Sequence, residues 1–189
     1  LGYPNEHFEW CVENGTDAHA ITEHGHCNSY AHAQLWSEDW NKKIPASQIK
    51  YIPGVEAYFH PDLEQWKRDK RDSEDSKAAK KLLKQQEKLQ TKIIAKTDGD
   101  DEIEELELSN NLTIENEDET KSNKLFNPVN RRHHLVLLPK SSQGLQKIFN
   151  LVSKGYLEGY YKFPRIDARM LKEAAKDDEI LVSSACLGG

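Results

Sequence analysis

The sequence predicts an α/β fold, and three observations carry that expectation. Short apolar runs with strand character occur at Ala18–Thr22, Val55–Phe59, His134–Leu138 and Ile180–Val182. Segments with helical apolar spacing lie between them, and polar turn clusters mark the junctions.

The elements follow in order. His7 to Asn14 carries Phe8, Cys11 and Val12 at helical spacing, and Gly15 supplies a stop. Ala18-His19-Ala20-Ile21-Thr22 predicts a buried strand that ends in Glu23-His24-Gly25-His26. Asn28 or Ser29 is placed to cap a helix running to about Trp40. Ile44 to Gln48 is loop-like. Lys50-Tyr51-Ile52 then leads through Pro53-Gly54 into the strand Val55-Glu56-Ala57-Tyr58-Phe59.

The middle changes texture. Leu63 to Lys96 is rich in Lys, Gln and Glu, with Leu82, Leu89 and Ile93 near heptad spacing. That predicts one long solvated helix with a thin apolar edge, or half of a helical hairpin. Asp98 to Glu119 contains eleven acids and no Lys or Arg, which predicts a self-repelling, flexible loop. Ile103, Leu106, Leu108, Leu112 and Ile114 leave room there for a small strand or docking segment. Residues 62–129 therefore read as a charged surface insert in a domain built from residues 1–61 and 130–189.

The last stretch returns to the first texture. His134 to Leu138 is strand-like, and Ser142 to Tyr156 places Leu145, Ile148, Phe149 and Val152 on one helical stripe. Pro164-Arg165-Ile166-Asp167 precedes a helix over Ala168 to Lys176. Ile180-Leu181-Val182 is a further strand that runs into Ser183-Ser184-Ala185-Cys186-Leu187-Gly188-Gly189.

Composition narrows the function classes. Charged residues make up 31% and hydrophobic residues 37% of the 189, and the mean hydropathy of −0.83 implies that part of the length builds no core. A net charge of −6 gives no general electrostatic case for binding DNA. Three scattered cysteines, Cys11, Cys27 and Cys186, argue against a disulfide framework and suit a reducing cytoplasm. No apolar run approaches the roughly 18 residues of a membrane span, so no membrane partner is expected. The chain begins at Leu1 and stops directly after a strand-like run, which reads as an excerpt from a longer protein.

Four places combine chemistry with strand borders: Glu23-His24-Gly25, Glu56, His133-His134 and Cys186. Imidazole, carboxylate and one thiolate form a ligand set for zinc or a related metal. If the strands of Glu56 and His134 pair as a hairpin, with the insert at its tip, the two side chains lie at the same end. Ordinary roles fit the same residues. A histidine after a strand is often a satisfied polar group, Glu56 could pair with an arginine, and Cys186 could be a small buried hydrophobe. His7, His19, His26, His32 and His60 show no partner pattern and read as structural or surface residues.

Ala18-His19-Ala20-Ile21-Thr22-Glu23-His24-Gly25 resembles the "AITDHG" segment of PHP domains (polymerase and histidinol phosphatase), and Pro53-Gly54-Val55-Glu56-Ala57-Tyr58 resembles the strand that follows it. His134-Leu135-Val136-Leu137-Leu138-Pro139-Lys140, continuing through Gly144-Leu145 to Leu151-Val152-Ser153-Lys154-Gly155-Tyr156, resembles the corresponding block of DNA polymerase III alpha subunits. Pro164-Arg165-Ile166-Asp167 and Ser183-Ser184-Ala185-Cys186-Leu187-Gly188-Gly189 match that family's "PRID" and "SACLGG" segments. The resemblance covers residues 1–60 and 130–189.

The resemblance implies part of a distorted β/α barrel with two or three metal ions, Zn2+ or Mn2+, at one mouth. Carried over residue by residue, His24, Glu56, His134 and Cys186 stand at metal-ligand positions. Glu23 stands where the family usually has Asp, so its carboxylate reaches about one bond length further. The family's opening His-x-His and closing Asp-x-His motifs are not in this sequence. The implied activity is metal-dependent 3′–5′ exonuclease hydrolysis within a DNA-replicating nucleotidyltransferase. That parent's own active site would use Mg2+ and lies outside this chain. Implied partners are DNA, through the parent, and replisome subunits such as a sliding clamp or a proofreading exonuclease. Two alternatives are a non-catalytic module that docks a proofreading subunit and a stand-alone phosphoesterase.

Overall fold

The computed structural model describes residues 2–97 and 129–186, with the backbone alone over 90–97. The expected acidic loop at Asp98–Glu119 and the closing Leu187-Gly188-Gly189 lie outside the described residues. The elements are α1 (Pro4–Glu13), β1 (Ala18–His24), α2 (Tyr30–Lys43), β2 (Lys50–His60), α3 (Leu63–Thr97), β3 (His133–Pro139), α4 (Ser142–Glu158), β4 (Arg165–Asp167), α5 (Ala168–Ala175) and β5 (Ile180–Ser184). They divide into two compact units, one of residues 1–63 and 132–189, the other of residues 64–131.

The first unit is built on one mixed sheet. β1 runs parallel to β2, with Ala18 opposite Lys50 and His24 opposite Glu56. β3 lies antiparallel on β2, with Tyr58 opposite His134, and β5 lies antiparallel on β3. β3 takes one edge of β2, so β4, which pairs Tyr58 with Arg165, continues along the edge that β1 leaves. The handover occurs at Gly25, whose N–H donates to Glu56 O (2.8 Å). Gly25 has φ +74°, and a Cβ there would lie 3.0 Å from Pro164 and 3.1 Å from Tyr58. Glycine meets both the left-handed backbone and the close approach. The sheet is open. The mixed α/β class is present, but the described strands do not close the expected barrel, because β1 and β5 each pair on one side only.

Side-chain alternation gives the two sheet faces different work. Val55, Ala57 and Leu137 are buried on the face where α4 places Leu151, Val152 and Gly155. On that same face, α1 and α2 pack Phe8, Cys11 and Ala33 with Ile21, Trp36 and Tyr51. The opposite face carries His24, Glu56, Tyr58 and His134. A one-residue slip of β2 would exchange the two sets, so burial of Val55 and Ala57 fixes where Glu56 points.

Several boundaries differ from the sequence expectation. α1 starts at Pro4, three residues early, because Pro4 at the first helical position and Glu6, which accepts from Tyr3 N–H (2.8 Å), supply a start. The Ser29 side chain makes no cap for α2; its backbone N–H donates to Glu23 Oε2 (2.9 Å) instead. β2 runs unbroken through Pro53-Gly54. Pro53 lies where β2 pairs with β1 alone, an edge-like setting that tolerates proline. Ser141 and Asp167 cap α4 and α5, accepting from Gly144 N–H (3.1 Å) and Met170 N–H (2.8 Å).

In the second unit α3 is a long helix with Leu82, Leu83 and Leu89 exposed and ion pairs such as Lys67–Glu64 (2.7 Å). At its base Trp66 Nε1–H donates to Val129 O (3.0 Å). No helix among the described residues is long and apolar enough to cross a membrane.

Candidate metal centre

Three side chains converge on the sheet face away from the helices. His24, the last residue of β1, is the register partner of Glu56, and His134 stands one diagonal step from Glu56 on β3. His24 Nε2 lies 3.3 Å and His134 Nδ1 2.5 Å from the same oxygen, Glu56 Oε1. One donor atom from each residue lies within 4.8 Å of the other two. Glu56 and His134 are mostly sheltered, at 14% and 18% side-chain exposure, whereas His24 is 63% exposed and gives the cluster an open side. Two imidazole nitrogens and a carboxylate oxygen fit a first-row divalent ion, and the open side leaves room for water or substrate.

Cys186 follows β5, and Ala185 N–H donates to His134 O (3.3 Å). That bond brings the exposed Cys186 Sγ to 3.6 Å from His134 Nδ1, beside the cluster. Glu23 is not drawn in. As the neighbour of His24 in β1 it points to the other sheet face, where its carboxylate accepts from Ser29 N–H and lies 3.6 Å from His26 Nδ1. Nor does Glu56 close its strand; β2 continues four residues beyond it, to His60. His133 alternates away from the cluster, and His60 is buried with Nδ1 accepting from Asp62 N–H (3.2 Å).

Residue-by-residue reading missed Tyr58 and Arg132. Tyr58 is two residues from Glu56, so strand alternation alone puts it on the cluster face. Its ring stacks on His24 (6.3 Å between centroids) and meets His134 edge-on (5.1 Å). Burial raises the Tyr58 pKa; the Arg132 cation opposes that rise and Glu56 adds to it. Phe163 meets Tyr58 edge-to-face at 5.1 Å. The Arg132 guanidinium occupies the corner between these rings, 4.3 Å from the Phe163 centroid and 5.3 Å from that of Tyr58. Its place at the edge of the charged insert hid it in the sequence.

A family model described as the PHP domain matches residues 2–189. The chain is also similar to DNA polymerase III subunit alpha of Helicobacter pylori, 42% identical over 76 residues, which are 40% of this chain and 6% of that protein. The subunit alpha of Thermus aquaticus is 46% identical over 55 residues, 29% of this chain and 4% of the relative. That of Chlamydia muridarum is 44% identical over 57 residues, 30% of this chain and 4% of the relative. The matched stretches thus span about a twentieth of these relatives.

Proposed function

Because the chain belongs to the PHP domain family, we propose that it is the PHP domain of a DNA polymerase III alpha-type protein and binds a divalent metal through His24, Glu56, His134 and Cys186. The observation that carries this reading is the convergence of three donor atoms, from three separate strands, to within 4.8 Å. When bound, Zn2+ or Mn2+ supplies a Lewis acid and lowers the pKa of a coordinated water.

The chain's own residues then have distinct tasks. His24 and His134 offer neutral imidazole nitrogens. Glu56 would hold the ion by its carboxylate, and its Oε1 already draws a nitrogen of each ring to the same point. Cys186, two residues beyond the end of β5, would add a thiolate, and Tyr58 walls the floor with its ring. The reaction is hydrolysis of the last phosphodiester of a DNA 3′ end: water oxygen joins phosphorus, the bond to the preceding 3′ oxygen breaks, and a 5′-nucleotide leaves. The setting is DNA replication in the cytoplasm, with DNA and replisome subunits as partners of the whole protein.

The experiment is elemental analysis of the protein purified without chelator, followed by hydrolysis of a 3′-labelled single strand. Bound zinc or manganese with chelator-sensitive release of labelled nucleotide is the expected result. Metal without turnover would leave a structural metal domain. No metal at all would overturn the site.

A further inference from the structure

The two halves of α3 carry charge differently. Residues 64–75 mix five acids with four bases, and the signs pair along the helix, as in Lys67–Glu64 (2.7 Å) and Lys70–Glu74 (3.9 Å). Residues 77–88 hold five lysines and a single acid, Glu87. Every residue from Lys77 to Leu89 is exposed. Among the described residues, Lys77, Lys80, Lys81, Lys84 and Lys88 make no ion pair.

Helical spacing gathers these lysines. At 3.6 residues per turn all five fall within an arc of about 100°, and the stripe from Lys77 to Lys88 runs for about 16 Å. Like charges three and four residues apart repel, so the helix carries this row at a cost in its own stability. A helix that needed only solubility would interleave the signs, as its first half does.

A polyanion with closely spaced charges relieves that repulsion. Nucleic acid fits best, because duplex DNA presents one phosphate charge per about 1.7 Å of its axis, dense enough to meet every lysine of the stripe. An anionic membrane fits less well. The side of α3 away from the lysines offers Leu82, Leu83 and Leu89 with Ala79 and Gln86 among them, and lacks the aromatic residues that seat a helix in a lipid surface.

We propose that the lysine stripe of α3 is a nucleic-acid interface that grips the sugar–phosphate backbone without reading base sequence. Ammonium groups on flexible stems act as point charges toward phosphate, which gives affinity and position rather than sequence choice. The surface belongs to the second unit and is independent of the metal site. It takes from the reading above only its setting, a protein that works on DNA.

The test is fluorescence anisotropy of a labelled 20-base-pair DNA duplex with the 189-residue chain, titrated from 50 to 200 mM KCl, with manganese content measured in parallel. Five engaged lysines give a slope of log K against log salt of about −4 to −5. Combining Lys77→Gln, Lys80→Gln, Lys81→Gln, Lys84→Gln and Lys88→Gln should weaken binding at 50 mM KCl at least tenfold and flatten the slope. Lys84→Gln alone, which serves where the combined variant does not fold, should reduce the slope by about one. Arginine at all five positions should restore binding. A flat slope in wild type, or equal affinity in the glutamine variants, would overturn the role of the stripe. Phosphatidylserine vesicles or polyglutamate that displace the duplex at a lower concentration of charge would overturn nucleic acid as the partner. Polyglutamate there stands in for acidic protein segments, Asp98–Glu119 of this chain included. Manganese bound by a chain that ignores DNA would leave the metal site standing.

Discussion

His134 Nδ1 lies 2.5 Å from Glu56 Oε1, a contact that crosses the antiparallel β2–β3 pair. The same oxygen faces His24. Glu56 is therefore the hub of the cluster. Replacing it with Gln keeps the shape but removes the charge and one acceptor oxygen. Because Glu56 is itself a proposed ligand, affinity for Mn2+ or Zn2+ should fall at least as far as the roughly 10–100-fold seen when groups that only orient ligands are lost. Isothermal titration of Glu56→Gln against wild type checks this, and equal affinities would remove Glu56 from the site.

The three thiols should separate by reactivity. Cys11 is 5% exposed, and burial, with Glu23 nearby, pushes the Cys27 thiol up to about 11. Cys186 is exposed. At pH 8 an aromatic disulfide reagent should label Cys186 quickly and the other two slowly, because the thiolate is the nucleophile. Saturating Zn2+ should slow the fast phase at least tenfold. An unchanged fast phase would mean that Cys186 is not a ligand.

Gly54 is a packing requirement in β2. A Cβ there would lie 2.6 Å from Leu138 Cδ2, 2.9 Å from Leu137 O and 2.9 Å from Thr22 Cγ2. Backbone on one side leaves little room to yield, so Gly54→Ala should cost about 1–3 kcal/mol through overpacking. Urea denaturation measures it, and a neutral effect would show that β2 and β3 sit further apart.

His19 makes stability depend on pH. Burial, helped by His7 stacked at 5.8 Å, lowers its pKa from the ordinary 6.5. The folded state therefore holds this proton less readily than the unfolded chain. Above about pH 6.5 both states are neutral here and nothing is lost. As pH falls through that value the unfolded chain protonates first, and stability drops until the folded pKa is passed. Urea midpoints at pH 7.5 and pH 5 should differ more for wild type than for His19→Gln. An equal drop in both would assign the loss elsewhere.

The charged middle should be dispensable for folding. Removing Lys67–Lys124 keeps Trp66 and Val129, which share a hydrogen bond. The shortened chain should retain its circular dichroism signature and a cooperative melt. An unfolded product would show that the middle contributes core.

Much of the framework was legible in the chain. Val55 and Ala57 alternate with Glu56 and Tyr58, which announces a strand with two different faces, and Phe8, Cys11 and Val12 announce a helix with one apolar stripe. Residue type marked Glu23-His24, Glu56, His133-His134 and Cys186 at strand borders, and the resemblance to PHP domains picked His24, Glu56, His134 and Cys186 from them as ligand positions. Local signals could not say which would meet. Glu23 and His24 are neighbours of equal promise, yet the alternation of β1 sends Glu23 to the Ser29 amide and His24 to Glu56.

By itself, then, the sequence determined the alternation of strands and helices, the polar middle and the supply of metal-competent side chains, since periodicity and composition are local properties. Only the tertiary structure decided that β2 and β3 pair in the register that sets His134 diagonal to Glu56. It also decided that β4 takes over the edge β1 leaves, and that Arg132 rests between Tyr58 and Phe163. Those outcomes depend on contacts between residues tens of positions apart, fixed by burying one face of the sheet, and no local window of sequence contains them.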